Sequence, residues 1–416
     1  MKSSVLSWAT LALRSLSGRQ DDGTGNTNGT ASVSPDPVLL IGGGASGTIA
    51  AATFDGTAFN IVANTTLAGT DPSWLLYQDP NRVYAVDENS NNTRLFQFNA
   101  TTNTFDLQQE AQGSSGVVFL ALNLESTRMV GAAFGEGQVD VWTVDPDDGT
   151  LSLLKQIVSD DPLGPNTERQ DAPHPHQALL ESSGRFFVVN DLGTDTILVI
   201  DSLDDAFDVV NHVRVPDAGC GPRHGAFFPA TGADFPTNYL LVCEMLSVVE
   251  VFSLNFTADG NLTFAHIQTI STFDPLQPPA NATTATAAEI VVSADNQHAY
   301  VSNRNTGNAT DNLVHFGITG AIGSSSGDSL LLSFVETISS GGLVPRMFSL
   351  QNDNAESLVF TTNQDGASAL LAIGRDSASG NLTADVSTAP SVPLAVFGAA
   401  GDGPQFVQQV PIVLSS

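Results

Sequence analysis

Short apolar runs broken by clusters of Gly, Asn, Asp and Ser dominate the chain, and no long stretch keeps a helical period. Residues 177–201 show the unit well: ALLES, a turn, RFFVVND, a turn, TILVID, with a fourth strand predicted near 209–215. One theme recurs, a turn followed by an apolar strand that ends in polar residues. It reads RVYAVDE at 82–88, RMVGAAF at 128–134, RFFVVND at 185–191, NYLLVCE at 238–244, HAYVSNR at 298–304 and LVFTTNQ at 358–364. Four strands in a unit of about 50–60 residues is the pattern of a propeller blade. The apolar stretch 38–42 lies about one repeat upstream of the first theme, and a strand over 406–414 is placed to pair with it. The reading is an all-β, seven-bladed β-propeller of four-stranded antiparallel blades around a central channel. The N- and C-terminal segments share one blade, which removes the exposed sheet edges. A tandem of β-sandwiches is the alternative on the same strands. The propeller is predicted to occupy 38–416 as a single domain.

The ends and the composition place it. Residues 1–17 read as a secretory signal: Lys2 at the start, an apolar core over 5–13, and small Ser15 and Ser17 after it. Residues 18–37 read as a disordered lead-in rich in Gly, Asn, Thr, Ser and Pro. Glycosylation sequons stand at Asn28, Asn64, Asn91, Asn99, Asn255, Asn261, Asn281, Asn308 and Asn381. A secreted, extracellular protein is expected. Net charge is −30, and the lysines are Lys2 and Lys155 alone, so nucleic-acid and polybasic membrane binding are excluded as expectations. No transmembrane helix is predicted after the N-terminus. Nothing favours an oligomer, so a monomer is the default.

Because charged residues make up only 14% of the chain, their positions carry information. In an antiparallel hairpin the start of one strand and the end of the next share an edge. That rule gathers a strand-end column (Glu88, Phe134, Asp191, Glu244, Arg304, Gln364) and a strand-start column (Ser73, Ser115, His176, Arg223, Ala288, Arg346) at one mouth of the channel. His174 and His176 are general acid–base candidates, and alternation aims both the same way if the segment is extended. A two-histidine metal site lacks further ligands at suitable spacing. Arg223 and His224 follow Gly221-Pro222 at a sharp strand entry. Arg223 offers donors for a carboxylate or oxyanion, or a plain salt bridge to Glu244. Arg304 and Arg346 add cations, while Asp191 and Gln364 are candidate substrate-positioning groups. Cys220 and Cys243 fall at one rim of one unit; a disulfide is expected, with free buried thiols the alternative. There is no nucleophile elbow, P-loop or dinucleotide fingerprint.

The motifs PHPHQ, GPRHGAF followed by VCEM, AAEIVVSADNQHAYVSNR, and VPRMFSL followed by TNQD, in this order over about 38–406, resemble the seven-bladed lactonase family. That family includes propeller-type 6-phosphogluconolactonases and fungal carboxy-cis,cis-muconate cyclase. The unit at 128–134 departs, with Phe134 in an otherwise polar column. The resemblance implies a metal-independent, cofactor-free site. It carries the cyclase's histidine, two arginines and glutamate onto His176, Arg223, Glu244 and Arg304, with His174 as the alternative for the first. His224 and Arg346 join His174, Asp191 and Gln364 as expected substrate contacts. Three functions are carried forward: hydrolysis of a sugar-derived aldonolactone, muconate lactonisation, and a non-catalytic adhesion or antigen propeller. A calcium-dependent lactonase is a further alternative, with Glu88, Asn190 and Asp191 as ligands.

Overall fold

Each recurring theme forms the second strand, counted from the centre, of a four-stranded antiparallel sheet. The computed structural model describes residues 38–320, 330–353, 355–412 and 414. The expected signal and lead-in, and Asn28, lie outside the described residues. Seven such sheets follow one another. Blade 1 joins Phe406–Val410 to Val38–Gly43, Thr48–Phe54 and Phe59–Thr66; blade 2 runs from Leu75–Gln78 to Thr104–Gln112. Blade 3 runs from Val117–Leu122 to Leu151–Val158, blade 4 from Pro175–Leu180 to Asp208–Arg214, and blade 5 from Pro222–Phe228 to Leu262–Ser271. Blade 6 spans Thr286–Val292 to Leu331–Ser339, and blade 7 Phe348–Leu350 to Ser391–Pro393. From blade 2 to blade 7 the innermost strand of each blade touches that of the next, blade 7 touches Phe406–Val410, and Val38–Gly43 of blade 1 touches Leu75–Gln78 of blade 2, so the sheets form a closed ring.

The ring closes where the apolar pattern placed it, with Val38 opposite Val410 and Gly42 opposite Phe406. The closing strand is shorter than the expected 406–414. It stops at Val410 because Pro411 has no N–H to continue the ladder. Burial explains the two strand patterns. Second strands are covered on both faces by neighbouring blades and read as apolar runs that end in polar residues at the mouth, as in Phe186–Asp191, where every residue is buried. Outer strands such as Leu151–Val158 face solvent on one side. Between blades 2 and 3, Trp142 is fully buried and lies over Gly131, where a Cβ would sit 2.7 Å from the indole. Helix is confined to single 3-10 turns among the described residues.

Candidate active site

The residues at the mouth are aimed by β-bulges. In blades 3 to 6 the innermost strand loses register with its neighbour just after it begins: between Val117 and Phe119, Pro175 and Gln177, Pro222 and Gly225, and Ala287 and Ile290. The skipped residues are Val118, His176, Arg223 with His224, and Ala288 with Glu289. An unpaired residue in a bulge is freed from the pleat and re-aimed. Here the bulges turn side chains into a small cavity lined by Val118, His176, Arg223 and His224 together with Trp74, Ser73, Arg346, Met347 and Gln405. Gly225 makes the blade 5 bulge possible, because any Cβ there would collide with the Tyr239 phenol. That phenol donates to Asn190 Oδ1 (3.0 Å), while the Gly225 N–H donates to Gln177 Oε1 (2.7 Å).

Glu244, at the end of the blade 5 second strand, is the electrostatic centre. Oε2 lies 2.9 Å from Arg223 Nε and 2.9 Å from Arg304 Nη2, and Oε1 accepts from Arg169 Nη2 at 2.5 Å. Burial alone would raise the Glu244 carboxyl, but Arg304, Arg223 and Arg169 outweigh it and hold it at about 2. Burial, with Arg304 and Arg346 adding, pulls Arg223 down to about 9 despite Glu244. The disulfide Cys220–Cys243 ties the chain just before Pro222 to the residue just before Glu244, clamping the two sides of this ion cluster. A second group is arranged around Arg346, whose Nη2 donates to Glu88 Oε1 at 2.9 Å. Beside it, burial and then Glu88 raise Asp71 to about 6.

The histidines divide. The His176 ring packs edge-on against His224, its centroid 5.1 Å away, and Nδ1 is buried without a partner. Burial, then Arg223, holds its pKa well below the usual imidazole value, so the ring is neutral at pH 7. His224 is held by Glu289 through Nδ1 (2.9 Å to Oε2), and its Nε2 is buried and unpartnered. His174 does not line the cavity. Its ring stacks on Phe134 at 4.2 Å, with Nδ1 on the Phe134 carbonyl and Nε2 on Asp171. The expectation that alternation aims the two histidines together fails because His176 is the bulged residue.

Other expected contacts are spent on the scaffold. Asp191 is completely buried and takes the Ser159 hydroxyl on Oδ2 and the His174 and Gly193 N–H groups on Oδ1, so it clasps a turn and faces no substrate. Gln364 does not line the cavity; its carbonyl receives the N–H groups of Gly401 and Gly403. The place expected for Ser115 belongs to Val118, and Glu289 joins Ala288. Of the proposed calcium ligands, Glu88 pairs with Arg346, Asn190 bonds Gln177 and Tyr239, and Asp191 is filled as above. They do not converge. Arg169, Trp74, Glu289, Met347 and Gln405 were not anticipated. For Arg169 the one signal was the scarcity of cations, since its segment follows no repeat.

A larger groove of about 470 Å³ lies between blades 3 and 4 at Arg128 and Arg185. Its arginines are paired with Asp205 and Asp201. The bulge-lined cavity is smaller, with about 10 Å³ of free volume, room for about one water. It nonetheless brings together buried nitrogens without partners on His176, Arg223 and His224.

The family model described as "Lactonase, 7-bladed beta-propeller" matches residues 37–397. The chain belongs to this lactonase family. Within the family's wider set of relatives, it is 30% identical over 282 residues to the "Probable 6-phosphogluconolactonase" of Arthroderma benhamiae, covering 66% of this chain and 68% of that protein. Among solved structures, a periplasmic gluconolactonase of Pseudomonas aeruginosa shares the fold at 22% identity, with a TM-score of 0.71 over 90% of this chain and 99% of that one. A Lactobacillus plantarum protein does so at 24% identity and a TM-score of 0.71, with the same coverage of both chains. As a member of the lactonase family the chain is an enzyme acting on a small-molecule lactone.

Proposed function

We propose that this lactonase hydrolyses an unphosphorylated or phosphorylated aldonolactone, and that it does so as a secreted glycoprotein. One observation carries the chemistry: three residues lining the same cavity, His176, His224 and Arg223, each hold a buried nitrogen with no protein partner. Unpaired buried donors are costly, and they persist where a ligand completes them. A lactone carbonyl that becomes an oxyanion is a suitable acceptor for Arg223, a preorganised cation kept dry.

The reaction balances on these groups. Water adds its oxygen to the lactone carbonyl carbon, and its proton passes to the neutral His176 ring. The carbonyl electrons move onto oxygen against Arg223. Collapse breaks the ring C–O bond, and the proton held by His176 goes to the departing ring oxygen, leaving a hydroxy acid. Glu244 fixes Arg223 and Arg304, and His224, held by Glu289, packs the His176 ring in place. A lactone must displace side chains to enter so small a space, and Met347 and Trp74 are bulky apolar ones at hand.

For secretion, the disulfide suits an oxidising compartment. Asn64, Asn91, Asn99, Asn255, Asn281, Asn308 and Asn381 are exposed, as a glycan needs. Asn261 is half-buried, its Nδ2 donating to the Val210 carbonyl at 3.1 Å. The test is hydrolysis over a panel of gluconolactone, cellobionolactone and their 6-phosphorylated counterparts, with carboxymuconate assayed alongside. His176→Ala should lose ~10²–10⁴-fold in turnover on any accepted lactone. Full activity in that variant refutes the assignment, and turnover of carboxymuconate alone replaces hydrolysis with cyclisation.

A further inference from the structure

The segment between blades 3 and 4 leaves the repeat and lays one side chain on the centre of the site. Its fold is fixed from below by Gln170, which is buried, donates to the Leu192 carbonyl (2.9 Å) and to Asp195 Oδ1 (2.8 Å). The same Asp195 receives the N–H groups of Gly219 and Gly221, in the turn that launches Arg223. A turn capped by Asn166, whose Oδ1 accepts from the Glu168 and Arg169 N–H groups, then directs Arg169 to Glu244. One aspartate therefore sets the spacing between the loop that carries Arg169 and the strand entry that carries Arg223.

The three guanidiniums on Glu244 are not equivalent. Arg223 and Arg304 are buried and share Oε2; Arg169, 43% exposed at the side chain, alone takes Oε1. A carboxylate with an open Oε1 would let one buried arginine turn and chelate both oxygens, the geometry Arg prefers. In the end-on form of that chelate Nη1 and Nη2 take the two oxygens, so Arg223 would spend on Glu244 the Nη1 that now has no partner. We propose that Arg169 is a positioning residue of the reaction, which by occupying Oε1 of Glu244 confines Arg223 to Oε2 and leaves its Nη1 for the bound substrate. It acts through Glu244 and does not touch the reacting atoms. Its effect on turnover rests on the lactone-hydrolysis reading; its effect on Glu244 does not.

The groups that act on Glu244 are Arg169 from the loop, Arg223 and Arg304 from blades 5 and 6, and Arg346 across the mouth. Glu289 also acts on Arg223, although it is bonded to His224. The experiment has two arms on Arg169→Ala and Arg169→Lys, both shown by circular dichroism to stay folded across the pH range used, since loss of a cation on Glu244 is itself expected to lower the melting temperature. The first arm titrates Glu244 by carbon NMR of ¹³Cδ-glutamate protein, the resonance identified by its loss in Glu244→Gln. Removing one adjacent cation should raise its midpoint by about one unit or more in Arg169→Ala. Arg169→Lys, which keeps the charge, should stay near the wild type. The second arm follows kcat and KM with pH on the best lactone. Arg169→Ala should lose about tenfold or more in kcat with KM little changed, and its acid limb should move up. An unmoved Glu244 midpoint overturns the geometry. A moved midpoint with unchanged kcat overturns the positioning role. If the wild type turns over no lactone, the functional reading alone fails, and the NMR arm still decides what Arg169 does to Glu244.

Discussion

Replacing Glu244 with Gln keeps the shape of the side chain and removes one negative charge from a place where three arginines meet. Held at about 2 against an ordinary 4.5, the ionised carboxylate contributes about 3 kcal/mol to folding at neutral pH. Because the folded value is depressed, that contribution is complete above about pH 4.5 and is lost as pH falls through 2. Arg223 works in the opposite direction. Its value drops from 12.5 to about 9, so keeping it charged in the folded protein costs about 5 kcal/mol at pH 7. The cluster as a whole is therefore no net stabiliser, as is common for buried ion pairs. Removing its only anion leaves the buried cations uncompensated, and the expected loss is about 3–5 kcal/mol. The assay is the urea midpoint of wild type and Glu244→Gln from pH 7 to pH 2. The gap between them should be widest at neutral pH and narrow below pH 4.5. Glu244→Gln/Arg223→Met should regain stability without regaining activity, because the costly cation leaves with its partner. A loss under 1 kcal/mol at pH 7, or a gap that stays constant down to pH 2, refutes the account.

Three further outcomes are expected. His174→Ala should lower the melting temperature yet leave kcat within about threefold, since its ring is engaged by Phe134 and Asp171; a loss like that of His176→Ala would return His174 to the chemistry. Glu250 is fully buried with neither carboxylate oxygen bonded, and burial, then Asp217, raises it to about 8. A raised carboxyl destabilises the fold increasingly from about pH 4.5 up to 8, so Glu250→Gln should raise the melting temperature more at pH 8 than at pH 5. An equal gain at both would contradict this. Ending the chain before Phe406 strips blade 1 of its inner strand and exposes the edge of Val38–Gly43; size-exclusion chromatography should show aggregation, and a monomer with wild-type melting would disprove the role of closure.

The repeat of apolar second strands was legible in the sequence because burial between blades demands a two-sided apolar run, and that demand recurs once per blade. The closing pair of Val38–Gly43 and Phe406–Val410 could be read for the same reason. Hairpin geometry, which depends only on strand order, correctly brought His176, Arg223, Glu244 and Arg304 to one mouth, and Cys220 to Cys243. Alternation could not separate His176 from His174, because a bulge is an insertion of one residue into a register that exists only when the neighbouring strand is present. Nor could it show that Asp191 is consumed by Ser159 and three backbone N–H groups, or that Arg169 reaches Glu244 from a segment outside the repeat. The sequence by itself determined the blades and the kinds of charge carried at their mouth, since these follow from local period and composition. Only the tertiary structure decided which of those charges remain unpaired, because pairing depends on side chains that arrive from other blades.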